Sequence, residues 1–317
     1  MIDILLATYN GQKFIKDQIE SILAQSYTDW NLIIQDDCSS DETVSILRAY
    51  QEKYPEKIKI FLNKKNSGSC VKNFLSLAQK SRSDYIMFCD QDDIWLEDKI
   101  QITLKAMKEL EKETQDKDIP LLVHMDLRVV DENLNLISDS IFKYQKMDFK
   151  KDKLNNLLVQ NIITGCCSMC NKNLIKFLNL IDLETDSKNI IMYDWWSGLI
   201  ATAFGKIKFV SRPTLLYRQH KKNQVGAKNA ESLSYVLKNL FNFKQTSKII
   251  DDTYIQAESF LNIYFKFLNS RNIKIIREYV NIKKYNKFKR LYIIIKYSFF
   301  KYGFLRKLGQ VLILLFF

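Results

Sequence analysis

The apolar run Tyr85-Ile-Met-Phe-Cys89 ends in three carboxylates, Asp90, Asp92 and Asp93, before the chain turns apolar again at Ile94-Trp95. A run of this kind reads as a strand buried on both faces of a parallel sheet. Open α/β sheets hold their ligands just beyond the carboxyl ends of strands, so an acid-lined crevice is expected here. Carboxylates this close repel, which raises at least one pKa unless a cation neutralises them. An oxygen ligand set suits a hard divalent ion such as Mn2+ or Mg2+. The competing reading is a solvated acidic turn in which Asp93 caps a helix at Trp95-Leu96-Glu97.

The flanking sequence supports an alternating architecture. Ile2–Thr8 predicts a strand closed by the turn Tyr9-Asn-Gly11. A helix follows, with Phe14, Ile15, Gln18, Ile19, Ile22 and Leu23 at helical spacing. Trp30–Gln35 predicts a second strand that runs into Asp36 and Asp37, and Ser39-Ser-Asp-Glu42 has the form of a capping box. Ile58–Leu62 and a helix through Val71, Phe74, Leu75 and Ala78 complete the pattern before Tyr85. Alternation of strands and helices implies a mostly parallel sheet covered on both faces, so the acids of the two strand ends share one edge. A nucleotide suits such a cleft: Asp accepts from base N–H groups or ribose hydroxyls, and Tyr9 either stacks on a base or covers the sheet end.

Beyond the acidic cluster, residues 96–110 predict a helix. Leu121–Asp126, Leu127–Val130 and Asn135–Ser138 predict strands joined at Asp131-Glu-Asn. His124, inside an apolar run, reads as a core or edge residue with its hydrogen bonds met, with a ligand role as the alternative. The loop Asn161–Gly165 can line an acceptor site. In Tyr193-Asp-Trp-Trp196 a lone carboxylate, Asp194, sits among aromatics at a helix start. Desolvation there raises its pKa toward a general base, and an alternative role is helix capping. Lys206–Val210 predicts a strand broken by Pro213, after which Tyr217-Arg-Gln-His220 leads into a basic loop. His220 is a candidate metal ligand and Arg218 a candidate phosphate partner.

Composition narrows the partners. Of a net charge of +12, +11 falls in residues 271–317, which hold twelve Lys/Arg against the single acid Glu278. The remaining body is nearly neutral and needs no polyanion to explain it. Only 8 Gly and 3 Pro leave no visible linker. Six Cys, with Met1 leading directly into a strand, suit a cytosolic chain with reduced thiols. Cys167-Ser-Met-Cys170 lacks a second pair at zinc-site spacing and reads as buried strand residues.

Taken together, Ala7-Thr-Tyr-Asn-Gly11, Gln35-Asp-Asp-Cys-Ser-Ser-Asp41, Asp90-Gln-Asp-Asp-Ile-Trp95, Tyr193-Asp-Trp-Trp196 and Tyr217-Arg-Gln-His220 resemble family-2 glycosyltransferases, in particular the bacterial rhamnosyltransferase-like branch. The resemblance covers about residues 1–226. It implies the GT-A fold, α/β with a Rossmann-like, mostly parallel mixed sheet flanked by helices. It further implies inverting transfer of a sugar from a nucleoside diphosphate donor, dTDP- or UDP-linked, to a glycan or lipid-linked acceptor. On this resemblance Thr8, Tyr9, Asn10, Asp37, Asp90 and Arg218 face the nucleotide sugar, Asp92 and His220 hold Mn2+ or Mg2+, and Asp194 is the base. Two positions depart from the family pattern: Tyr193 where Glu or His is common, and Cys38 where Gly is frequent.

Residues 227–317 form the expected second region, helical and basic. From Tyr235 apolar residues recur at helical spacing, and Val311–Phe317 is wholly apolar. Lys296, Lys301, Arg306 and Lys307 interrupt the region too often for a membrane span, so a helix lying on an anionic membrane surface is expected, placing the enzyme at the inner face of the cell membrane. A solvated appendage or a dimer contact is the plainer reading. Three other functions compete. A sugar-nucleotide pyrophosphorylase needs a Gly-rich, basic loop after the first strand, which Thr8-Tyr-Asn-Gly-Gln does not offer. A nucleic-acid or anion binder leaves both acidic strand ends unexplained, so no nucleic-acid partner is expected. The third is a catalytically inactive relative.

Overall fold

The computed structural model describes residues 1–116, 118–221, 223, 226–227 and 243–316. The first half alternates as β1 (Ile2–Thr8), α1 (Ile15–Leu23), β2 (Trp30–Asp36), α2 (Thr43–Lys53), β3 (Ile58–Leu62), α3 (Cys70–Lys80) and β4 (Tyr85–Cys89). Then come β5 (Ile94–Trp95), α4 (Lys99–Glu113), β6 (Leu121–Val130), β7 (Leu136–Ser138), α5 (Ile141–Tyr144), α6 (Leu154–Val159), β8 (Ser168–Asn171), α7 (Lys172–Leu178), α8 (Tyr193–Phe204) and β9 (Lys206–Arg218). The described part of the tail is helical: α9 (Phe243–Tyr264), α10 (Ser270–Val280), α11 (Lys287–Tyr297) and α12 (Phe304–Phe316).

Among the described residues nine strands join one sheet in the order β3-β2-β1-β4-β8-β6-β9-β5, with β7 paired to β6. β1 to β4 are mutually parallel, β8 runs against them, and β6 and β9 return to the parallel direction. The sheet is thus mixed and mostly parallel. Successive residues of a strand point to opposite faces. Leu5, Ile33, Ile86 and Phe88 accordingly enter one core cluster, with α3, α7 and α8, while Ile4, Leu6, Leu32, Ile34 and Met87 enter the other, with α1 and α4.

The first cluster continues into the tail through Phe260, Tyr264, Ile276, Tyr279, Ile293, Ile294, Ile313 and Leu314. Polar ties reinforce it: Trp196 Nε1 donates to Tyr264 Oη at 3.1 Å, and Asn272 Nδ2 donates to the Ala203 carbonyl at 2.8 Å. Ile313 and Leu314, from the apolar run at the C-terminus, therefore cover the body. The expected boundary falls on residues 226–227, next to the undescribed 228–242, and the start of the expected helical pattern at Tyr235 lies outside the described residues. Among the described residues no helix is long and apolar enough to cross a membrane.

Three local expectations are corrected. Ser39 does not cap α2: Asp36 engages its backbone N–H and hydroxyl, Asp41 accepts from the Thr43 N–H, and the helix starts at Thr43. Residues 94–95 do not open a helix, because Ile94 and Trp95 pair with Leu216 and Leu215 of β9, which delays α4 to Lys99. Pro213 does not end β9. The register against β6 jumps from Met125↔Val210 to Asp126↔Pro213, so irregular pairing accommodates a residue that has no N–H for the ladder.

Candidate active site

A cavity of about 510 Å³ opens beyond the carboxyl ends of β1, β2 and β4. Its lining includes Thr8, Tyr9, Asp37, Asp90, Asp92 and Asp194. The acids of two separate strand ends thus meet in one cleft, as parallel pairing of β1 with both β2 and β4 requires. No Lys or Arg is among the described lining residues.

At the first strand end, Thr8 Oγ1 donates to Asp36 Oδ2 at 2.9 Å, which holds Asp36 inside the sheet edge. The Asp37 N–H donates to the Thr8 carbonyl at 2.9 Å. Asp37 Oδ1 accepts from Asn63 Nδ2 at 2.6 Å and from the Ser67 N–H at 2.8 Å, and Oδ2 accepts from Ser67 Oγ at 2.7 Å. A carboxylate oxygen has two acceptor directions, so Oδ2 retains one for a ligand. Tyr9 is 51% exposed at the lip, its backbone N–H and carbonyl bonded to the Gln91 side chain. Asn10 is not a lining residue. It sits at φ 48°, and its Oδ1 accepts from the Ser40 N–H at 2.8 Å. Cys38 has φ 65°, the left-handed region that glycine favours, so the turn keeps its shape despite the side chain.

At the second strand end, burial pushes the Asp90 carboxyl up to about 7, with the charges of Asp92 and Asp194 adding to the effect. Burial also raises Asp92, opposed by His220. Asp93 is fully buried and shifted well upward by burial and by Asp92 and Asp90. Its Oδ1 accepts from the Arg218 N–H at 3.2 Å, while Oδ2 is buried with no hydrogen-bond partner in the structure. Asp93 is therefore neither a solvated turn residue nor a helix cap.

The antiparallel pairing of β5 with β9 brings the residues after Tyr217 beside Asp92 and Asp93. His220 Nε2 lies 2.7 Å from Asp92 Oδ2, with the imidazole packed on Phe14 at 4.8 Å. Arg218 is placed differently from the phosphate-facing role expected of it. It is buried, does not line the cleft, and stacks over Phe14 at 4.5 Å. Its guanidinium donates to the Asp92 and Glu132 carbonyls at 2.9 and 3.0 Å and pairs with Asp17 at 3.1 Å. In this position it braces the Asp92 turn from behind.

Asp194 lies in the first turn of α8 and closes the opposite wall. Its Oδ1 accepts from the Trp195 N–H at 2.6 Å and Asn161 Nδ2 at 3.0 Å, and Oδ2 accepts from the Gly165 N–H at 2.9 Å. Burial outweighs these bonds and lifts its pKa to about 6. The two tryptophans anchor the helix instead of enclosing the acid: Trp195 Nε1 donates to the Leu157 carbonyl and Trp196 Nε1 to Tyr264. Tyr193 lines the cleft beside Asp194 and packs against Phe74 and Phe88, ring centroids 3.9 and 4.7 Å away. A Cβ on Gly165 would lie 2.3 Å from Tyr193 Oη. Gly165→Ala is therefore expected to cost about 1–3 kcal/mol of stability through overpacking, read as a lower urea midpoint, and to lower turnover by shifting the N–H that holds Asp194.

Asn161, Gly165, Gln91 and Asn63 complete this framework, and only the 161–165 loop carried a sequence signal. His124 stays outside the cleft between Phe142 and Phe209; its ring nitrogens have no hydrogen-bond partner, and burial pushes its pKa down to about 3, so it is a neutral core residue. All six Cys are free.

A mixed, mostly parallel α/β sheet with an acidic cleft at its strand ends matches the fold of GT-A glycosyltransferases. Residues 3–177 match the profile of Glycosyl transferase family 2, and the chain belongs to that family. It is 30% identical over 274 residues to the dTDP-rhamnosyl transferase RfbG of Shigella flexneri, covering 81% of this chain and 86% of that one. Among solved structures, S. aureus TarS 1-349 in complex with UDP superposes with a TM-score of 0.55 at 16% identity, over 88% of this chain and 70% of that one. The mannosyltransferase PcManGT from Pyrobaculum calidifontis, in complex with GDP-Man and Mn2+, gives 0.52 at 13% identity, over 99% and 84%. The chain is a glycosyltransferase that uses a nucleotide-sugar donor.

Proposed function

We propose that this chain is an inverting, metal-dependent transferase that moves a deoxyhexose, rhamnose by likeness to RfbG, from a dTDP-linked donor to a hydroxyl of a cell-surface glycan or its lipid-linked precursor. A UDP-linked donor is the second candidate. One observation carries the reading: a cavity of about 510 Å³ lined by Asp37, Asp90, Asp92 and Asp194 and, among its described lining residues, by no basic side chain. Such a cleft repels a diphosphate unless a cation enters with it.

The residues fit that cation. Asp92 lines the cleft and offers a carboxylate oxygen, His220 stands behind that lining with Nε2 on Asp92 Oδ2 and would reach the ion by turning from it, and the buried Oδ2 of Asp93, with no hydrogen-bond partner, adds acceptor capacity there. Mn2+ or Mg2+ bound there supplies Lewis acidity toward the departing diphosphate. Asp37 takes a base N–H on its open Oδ2 direction, Asp90 takes the ribose, and Tyr9 stacks on the base. Thr8, through Asp36, and Asn10, through Ser40, hold the loops that carry these groups.

Asp194 accepts the proton of the acceptor hydroxyl. As that proton transfers, the hydroxyl oxygen bonds to the anomeric carbon and the bond to the diphosphate oxygen breaks on the opposite face, which inverts configuration. A carboxylate lifted to about 6 by burial is a stronger base than an exposed one and is still ionised at neutral pH. Residues 1–226 carry this chemistry. Residues 227–317 supply placement at the inner membrane face, a division of labour within one continuous core.

Incubation with dTDP- and UDP-sugars and either metal, following release of the nucleoside diphosphate, tests the reading. Turnover of one donor is expected; no turnover with any pairing would remove it. Tyr9→Ala is expected to raise the donor KM about tenfold with little change in kcat, since loss of base stacking costs roughly 1–3 kcal/mol.

A further inference from the structure

Helix α11 carries an apolar stripe turned away from the core. Phe288, Tyr292 and Ile295 are 88%, 57% and 59% exposed. Their spacing sets them on one helical face, while Ile293 and Ile294 of the same helix are buried. Exposed Lys289 and Lys296 border the stripe on one side, and exposed Lys287 borders it on the other. Glu278, the one acid of residues 271–317, accepts from Tyr285 Oη at 3.1 Å.

This pattern discriminates among partners. A nucleic acid would engage the lysines and leave Phe288 in water. A second copy of the chain would bring like-charged lysine rims together. An anionic bilayer satisfies both features, taking aromatic and aliphatic side chains at the headgroup–acyl boundary and lysines on lipid phosphates.

We propose that the Phe288–Tyr292–Ile295 face of α11 docks on an anionic membrane and fixes how the catalytic cleft addresses it. The helix is tied to the cleft wall. Asn155 Nδ2, from α6, donates to the Tyr297 carbonyl at 2.7 Å, and the Tyr302 N–H donates to Gln160 Oε1 at 2.9 Å. The next residue, Asn161, donates to Asp194. Docking therefore fixes the wall that holds Asp194 relative to the bilayer, which suits a lipid-borne acceptor; this last step rests on the glycosyl-transfer reading.

Cosedimentation of the full chain with phosphatidylcholine vesicles, alone or with about one third phosphatidylglycerol, tests the surface. The wild type is expected to bind the anionic vesicles. Phe288→Ser/Tyr292→Ser/Ile295→Ser and Lys287→Gln/Lys289→Gln/Lys296→Gln should each lower that binding on the order of 10- to 100-fold, without a change in melting temperature or in donor hydrolysis in solution. The serine variant binding as tightly as wild type would overturn the proposal. So would a wild-type dimer, indifferent to vesicles, that the serine variant dissolves. Vesicle binding by a wild type that hydrolyses no donor would support the surface and count against the activity alone.

Discussion

Asp194→Asn is expected to lower kcat on the order of a thousandfold while leaving donor affinity within about a factor of two, because a positioned general base contributes roughly 10²–10⁴. The amide keeps the shape but cannot take a proton. In the wild type kcat should fall about tenfold per pH unit below about 6, the value to which burial lifts Asp194, and level off above it. The variant should lose that dependence. Stability shifts in the opposite sense. A carboxyl whose folded pKa is raised from 3.8 to about 6 binds its proton more tightly in the native state, so its ionisation costs up to about 3 kcal/mol above that range. The stability of wild type relative to Asp194→Asn should therefore rise as pH falls from 6 toward 4. Paired urea titrations across that window measure it; a difference that does not vary with pH would remove Asp194 as the titrating group.

The second large effect is expected at Asp92. Asp92→Ala removes a carboxylate that faces the cavity and the partner of His220, and should lower kcat/KM by about 10²–10³ with the metal dependence of donor binding lost. Arg218→Lys gives the control. Its guanidinium is committed to Asp92, Glu132 and Asp17, so its loss should act through a displaced Asp92 turn and lower stability together with activity. A stable Arg218→Lys protein with intact metal dependence and a raised donor KM alone would return Arg218 to the phosphates.

The strands were legible because Ile2–Thr8, Trp30–Gln35 and Tyr85–Cys89 are short apolar runs, the first closed by the turn Tyr9-Asn-Gly11 and the other two ending in acids. Their shared edge followed from parallel pairing alone. Asp194 was legible as a carboxylate in apolar sequence at a helix start. What the sequence concealed depends on long-range pairing. Ile94-Trp95 looks like a helix entry until β9 arrives to pair with it, and the same pairing buries Arg218 behind Asp92 and sets His220 against it. Charge in a sequence does not say which side of a strand end a side chain serves. Val311–Phe317 is wholly apolar in sequence, and Ile313 and Leu314 from it complete the protein core, while an outward apolar stripe lies one helix earlier.

Calorimetric titration of dTDP- and UDP-sugars into the protein, with Mn2+ and then with chelator, tests the central claim most directly. The account predicts that one donor binds with metal and not without it, that Asp92→Ala abolishes the binding, and that Asp194→Asn retains it. Equal binding in chelator, or no binding of any donor with either metal, would contradict it and leave the acidic strand ends with a structural role.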